Sequence, residues 1–313
     1  MISDPMTEHK IILVTRKTRL EDLIIRYNTI QQAQFYIEHM GNDFSDYLKE
    51  DQTYHEAVSR IMEELPEIGR VQIVQREYLS NFIFGPNDII VAVGQDGLVA
   101  NVMKYLDSQP LIGINPDAAR WDGVLLPFGP ADAGKIVQEV VRNIRKYHEV
   151  TLAQAQLNDG QKLYAVNDLF IGQRTHTSAR YTLTVNDKAE QQSSSGIIVS
   201  TGLGSTGWLK SIITGANGIA AAAQGNTKRP GYKPMQWNAD YLYYSVREPY
   251  PSKWTGADLV FGKIDARNRF QVISQMPSNG VIFSDGLEND YLEFNSGMEA
   301  NVTIADKRGH LVV

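Results

Sequence analysis

Cysteine is absent from this chain, which excludes disulfides, thiolate nucleophiles and cysteine-ligated zinc in one step. Long apolar runs are absent too. The hydrophobic stretches are about strand-sized, well short of the ~20 residues that cross a bilayer. The N-terminus has neither the apolar core of a secretory signal nor the Arg- and Ser-rich pattern of a transit peptide, so a cytoplasmic protein without a membrane partner is expected. Positive charge is in deficit: 30 Lys and Arg face 36 Asp and Glu, and the net charge of −6 argues against nucleic acid as a partner. Nucleotides stay open, because glycine turns and helix ends hold phosphate without net basicity. There is no obvious repeat or low-complexity tract. What is present is 313 residues of globular composition, 42% hydrophobic and 21% charged, enough for two domains with a core each.

The chain is organised around Asp88 to Asn101. Ile89 to Val93 is an unbroken run of β-branched and small apolar residues, which predicts a strand buried on both faces. Gly94-Gln95-Asp96-Gly97 breaks the run, and Leu98, Val102, Tyr105 and Leu106 then fall at helical spacing. A carboxylate between glycines, at the carboxyl end of a buried parallel strand, sits where open α/β sheets bind ligands. The helix that follows offers free N–H groups suited to phosphate. The bland alternative is an ordinary Asp-Gly turn.

Around this stretch, Lys10 to Thr15 reads as a first strand, followed by the basic cluster Arg16 to Arg19, either a solvated loop or a phosphate contact. A helical face is expected through Leu23, Ile24, Tyr27 and Ile30, and a helix over Tyr54 to Leu65 closed by Pro66. Val71 to Val74 and Pro110 to Asn115 read as further strands, and Asp132 to Tyr147 as an amphipathic helix through Ile136, Val140, Val141 and Ile144. This alternation predicts an α/β N-terminal domain with a parallel, Rossmann-like sheet over residues 1–147. After His148 the pattern changes to short alternating runs (150–156, 161–166, 181–185, 196–200, 241–246, 258–264, 269–274, 281–284 and 300–305), with turn signals at Asn158-Asp-Gly160 and Asn186-Asp187. Residues 148–313 are therefore expected to form a β-rich C-terminal domain with one helix, Gly207 to Gln224, and a mobile loop at 225–234.

Within the β-rich half lie Asn167-Asp168 and Ser200-Thr-Gly-Leu-Gly-Ser-Thr-Gly-Trp208. The second is strand, Gly/Ser/Thr turn, helix, and its N–H groups and hydroxyls suit phosphate or ribose oxygens. Either segment also reads as a polar turn with a capping hydroxyl. One acidic site per domain, each beside a glycine-rich turn, suggests a ligand held in a cleft.

With these residues in view, the chain resembles the NAD kinase family. The family's Gly-Gly-Asp-Gly-Thr turn, Asn-Glu or Asn-Asp pair and Ser-Thr-x-x-Gly-Ser-x-x-aromatic motif correspond to Gly94 to Leu98, Asn167-Asp168 and Ser200 to Trp208. Arg16-Lys-Thr-x-x-Glu21, Ile112-Gly-Ile-Asn115, Ser194-Ser-Gly196 and Ser284-Asp-Gly286 look most like its mitochondrial-type branch. The resemblance implies phosphorylation of the 2′-hydroxyl of NAD's adenosine ribose by ATP or polyphosphate, with Mg²⁺, in a homodimer or larger homo-oligomer. Carried over by position, Asp96 is the expected catalytic base. Asn167 and Asp168 would hold ribose or adenine, and Thr206, Gly207 and Trp208 would line the pocket. Gly94, Gly97, Asn115 and Ser205 complete the expected binding set, and no side chain is expected as a metal ligand. Two positions depart from the pattern: Gln95 replaces the family's second glycine and Leu98 its threonine. They leave open a decayed dinucleotide-binding homologue, or a kinase for a different hydroxyl.

Overall fold

Ile11 to Val14 have no exposed surface, as an unbroken apolar run in a strand buried on both faces requires. This strand, β1 (Lys10–Thr15), opens a computed structural model that describes residues 9–225 and 231–313. The chain divides into two units, Met1–His148 with Gly309–Val313, and Glu149–Arg308.

In the first unit β1 is followed by α1 (Arg19–Tyr27), α2 (Ile30–His39), α3 (Ser45–Glu64), β2 (Arg70–Gln75), β3 (Ile89–Val93), α4 (Asp96–Met103), β4 (Pro110–Ile114) and α5 (Ala133–Val141). The strands pair in parallel in the order β2-β1-β3-β4. Ile11, Leu13, Ile89, Val91 and Val93 point to one face, where Tyr54, Ile61 and Leu65 of the α3 segment and Ile136 and Val137 of α5 cover them.

Several helices differ from expectation, α3 among them, which starts at Ser45 and not at Tyr54. The face read through Ile30 is broken, because Asn28 adopts a left-handed conformation (φ 67°) and caps α1, while Thr29 caps α2. Ile30 is exposed. Thr18-x-x-Glu21 forms the capping box that starts α1. The helix expected to reach Tyr147 ends at Val141, where Asn143 turns left-handed (φ 55°) and leaves Ile144 exposed.

The next strand, β5 (Tyr147–Leu157), leads into the second unit. It continues with β6 (Lys162–Ala165), β7 (Asp168–Gln173), β8 (Ala179–Val185), β9 (Lys188–Ser194), β10 (Ile197–Ser200), α6 (Trp208–Ala223), β11 (Leu242–Val246), β12 (Phe261–Ile264), β13 (Phe270–Ser274), β14 (Gly280–Ser284), β15 (Leu287–Glu293) and β16 (Glu299–Val312). One antiparallel sheet runs β12-β11-β10-β7-β14-β15, and the ladder β16-β13-β8-β9 faces it across a core holding Tyr181, Phe270 and Phe294. A two-residue Asn186-Asp187 turn, with Asn186 at φ 55°, closes the β8–β9 hairpin.

β7, β9 and β15 are additions to the expected strands. β16 outruns its expected end at Ala305, so that His310 and Leu311 pair in parallel with Pro110 and Leu111 in the first unit. The expected mobile loop includes residues 226–230, which lie outside the described residues. An α/β unit with a parallel sheet followed by a β-rich unit is the architecture that the alternation of elements predicts.

Candidate functional site

The turn after β3 is built by backbone geometry rather than by glycine freedom. The Gly94 N–H donates to Ile114 O at 3.2 Å. Gln95 is extended (φ −119°, ψ 164°) and caps α4 without a side-chain bond. An extended residue carries no strain for a side chain, so the replacement of glycine at 95 has no backbone cost. Asp96 is the first residue of α4, two positions before the expected start. Its Oδ1 accepts from Leu125 N–H at 2.7 Å. Leu98 is 2% exposed, and its Cδ2 lies 2.9 Å from where a Cβ on Gly94 would sit. The position read as a lost hydroxyl is therefore a core position. Gly97 faces open space.

Two polar side chains in this unit already have partners within the protein. Asn115 Nδ2 donates to Trp121 O at 3.0 Å and Oδ1 accepts from Asp117 N–H at 3.1 Å, so the side chain shapes its own loop and keeps one N–H and one lone pair uncommitted. Arg16 is anchored within the protein. Its guanidinium lies 4.7 Å from the Tyr54 ring centroid and bonds Glu50 at 2.6 Å and Lys17 O at 2.8 Å. Tyr54 in turn donates to Val93 O at 3.1 Å, and burial pushes its hydroxyl up to about 12.

In the second unit, the 166–168 turn and the 201–207 turn are laced together. Thr201 donates its N–H to Asn167 O and its hydroxyl to Val166 O, at 2.9 and 2.5 Å. Gly204 allows the approach, since a Cβ there would sit 2.1 Å from Asn167 O and 2.8 Å from Asp168 Oδ1. Gly204→Ala should therefore destabilise the protein by about 1–3 kcal/mol through overpacking, read as a lower urea midpoint with an unchanged slope.

Asn167, Asp168, Gly204, Thr206, Gly207, Trp208 and Asp285 are among the residues lining a cavity of about 310 Å³. Asp168 is 9% exposed, and its Oδ1 has no hydrogen-bond partner. Burial raises its carboxyl to about 7, against the lowering effect of the Ser200 hydroxyl and with a smaller raising effect from the Asp285 charge. A buried acceptor without a donor suits a ligand that brings a hydroxyl. Trp208 stacks on Phe170 with centroids 6.1 Å apart and rings 10° from parallel. Ser205 is engaged as well. It is fully buried, donates to Gly202 O at 2.6 Å and accepts from Met235 N–H at 2.9 Å, so its hydroxyl holds backbone.

Asp285 was not among the expected site residues. Its signal in the sequence was the Ser284-Asp-Gly286 turn, which does not reveal that the carboxylate reaches back to residue 166. Elsewhere, Glu21, Asp51 and His55 bring one ligand atom each within 4.8 Å of one another. The two carboxylates also bind Thr18, so the group ties α1 to α3, and its imidazole suits transition metals better than Mg²⁺. Among the described residues no helix is long and apolar enough to cross a membrane.

No protein-family profile matches the chain. It is 25% identical to the rat protein named NAD kinase 2, mitochondrial, over 94% of this chain and 85% of that one. The human protein of the same name is also 25% identical, over 94% of this chain and 81% of its own. Among solved structures, an NAD kinase from Archaeoglobus fulgidus in complex with ATP superposes with a TM-score of 0.55 at 15% identity, covering 97% of this chain and 93% of that one. Yeast NADH kinase complexed with NADH gives 0.54 at 13% identity, covering 99% and 84%. At these identities the two structures speak to the fold alone.

Proposed function

We propose, from its 25% identity over 94% of its length to two proteins named NAD kinase 2, mitochondrial, that this chain is a member of the NAD kinase family and transfers a phosphoryl group from ATP or polyphosphate to the 2′-hydroxyl of NAD's adenosine ribose, making NADP. The observation that carries this reading is the cavity with Asp168 and Trp208: an unsatisfied acceptor for a ribose hydroxyl beside an aromatic face for a base. A ribose hydroxyl must lose a proton as it attacks. Asp96 is the proposed base, since only its Oδ1 is committed, to Leu125 N–H, and Oδ2 remains to take the proton. A positioned base of this kind contributes roughly 10²–10⁴ in rate. The rest of phosphoryl transfer is positioning and charge stabilisation.

Mg²⁺ would supply that charge stabilisation when bound with the donor. It takes few protein carboxylates and keeps phosphate and water oxygens, so the donor's phosphates would hold it, and Asp96 Oδ2 stays available as the base.

The test is incubation with NAD, Mg²⁺ and ATP or polyphosphate, with NADP measured directly. NAD binding without NADP from any donor would favour a decayed dinucleotide-binding homologue, the reading that Gln95 and Leu98 motivate. Phosphorylation of another hydroxyl compound, with NAD untouched, would indicate a different small-molecule substrate. We further propose a homo-oligomer in the cytoplasm. The exposed Tyr250, Trp254 and Phe261 support association, and light scattering showing only a 35.1 kDa species would count against it.

A further inference from the structure

Asp285 sits in the turn between β14 and β15 at φ 55°, a left-handed conformation that aspartate tolerates. Its backbone N–H donates to Asp168 O at 3.0 Å. Its carboxylate accepts from three successive backbone N–H groups: Val166 at 3.1 Å, Asn167 at 2.6 Å and Asp168 at 3.3 Å. Three N–H groups converging on one carboxylate make a fixed anion in the wall of the cavity. The second carboxylate in that wall, Asp168, is buried with an oxygen that has no partner.

We propose that Asp285 is the positioning residue of this cavity: it locks the 166–168 turn so that Asp168 stands buried as an acceptor awaiting a ligand hydroxyl, and its charge adds to the pH dependence that this burial gives the grip on that ligand. The proposal rests on the dinucleotide reading for the ligand's identity, but the clamp itself does not. The polar groups around Asp168 are the Ser200 hydroxyl from β10, the Asp285 carboxylate, and Tyr232, whose phenol feels the Asp168 charge and donates to Ser205 O at 2.7 Å. Among the described residues no cation is one of them. Asp168 therefore accepts a proton readily, and the protonated form loses part of its capacity to accept from a ribose hydroxyl. With Asp168 titrating at about 7, NAD affinity should fall from pH 8 to pH 6 by up to about tenfold, the fall in the ionised fraction.

The experiment is a ¹³C carboxyl titration of Asp168 together with NAD binding at several pH values, for the wild type and Asp285→Asn. The variant keeps the side chain's shape but loses its charge. The Asp168 midpoint should move toward acid, and the pH 8 to pH 6 loss of NAD affinity should shrink. An unchanged midpoint with a uniform loss of affinity at every pH would reduce Asp285 to a turn holder and overturn the proposal. Should the variant not fold, the wild type still decides: an Asp168 midpoint in the ordinary carboxylate range, about 4, overturns it. If the titrations behave as expected but the wild type binds no NAD at any pH, the dinucleotide reading fails and the clamp stands.

Discussion

Asp96→Asn should lower NADP formation by roughly 10²-fold or more while NAD still binds. Asparagine keeps the Oδ1 that accepts from Leu125 N–H, so the loop it ties to α4 stays in place and the melting temperature should hardly change. What it cannot do is take a proton from the ribose hydroxyl. Asp96→Ala is the useful contrast, because it also strands the Leu125 N–H beside a buried side chain and should cost a further 1–3 kcal/mol or so of stability. Single-turnover measurements that find Asp96→Asn as fast as wild type would remove Asp96 from the chemistry. Restoring the family turn is not a neutral control. Leu98→Thr puts a hydroxyl into a core position, while Gln95→Gly changes an extended residue and should be benign.

Asp168→Asn is expected to move binding and stability in opposite directions. The folded carboxyl titrates at about 7, above the unfolded value of about 3.9. Between those values the unfolded chain has lost its proton and the folded chain has kept it. The folded state is therefore favoured by protonation below about pH 4 and loses that advantage as pH rises through 7, by as much as ~4 kcal/mol. Asparagine does not ionise, so the variant should be more stable than wild type at pH 8, and the gap should close as pH falls toward 4. Its affinity for NAD at pH 8 should drop by about 1.5–3 kcal/mol, the worth of a hydrogen bond to a charged group. Urea midpoints at the two pH values and a binding isotherm check both halves. A variant that is less stable at pH 8 and binds NAD as well as wild type would return Asn167-Asp168 to an ordinary turn.

The parts of this fold that were legible in the sequence are those where one local signal suffices. The run Ile89 to Val93 is buried on both faces because nothing but a central strand can use five such residues in a row. The Asn186-Asp187 turn closes a hairpin because asparagine accepts a left-handed backbone. The same property at Asn28 and Asn143 ended two helices that their apolar spacing alone would have carried on. β7 hid because its first residue is a buried aspartate, which alternation rules treat as outward-facing. Within the candidate site, Asn115 and Ser205 carry the chemistry a ligand needs, and each already bonds to backbone of the protein. No sequence shows whether a donor is already taken. Asp285 was missed for the reciprocal reason: its partners are about 118 residues away in the chain.

The return of residues 309–313 to the first unit has a consequence for how the protein is made. His310 and Leu311 pair with β4, and Gly309 passes Met103 so closely that a Cβ there would lie 2.2 Å from its sulfur. These residues leave the ribosome only after the whole of 149–308. At 5–20 residues per second that interval is roughly ten to thirty seconds. Throughout it the Pro110–Leu111 end of β4 has an open edge with unpaired backbone groups, the kind of edge that recruits stray strands. The α/β unit thus cannot finish folding in the order in which it is synthesised. A nascent chain stalled before Gly309 should hold that unit in a protease-sensitive state that release of the last strand cures.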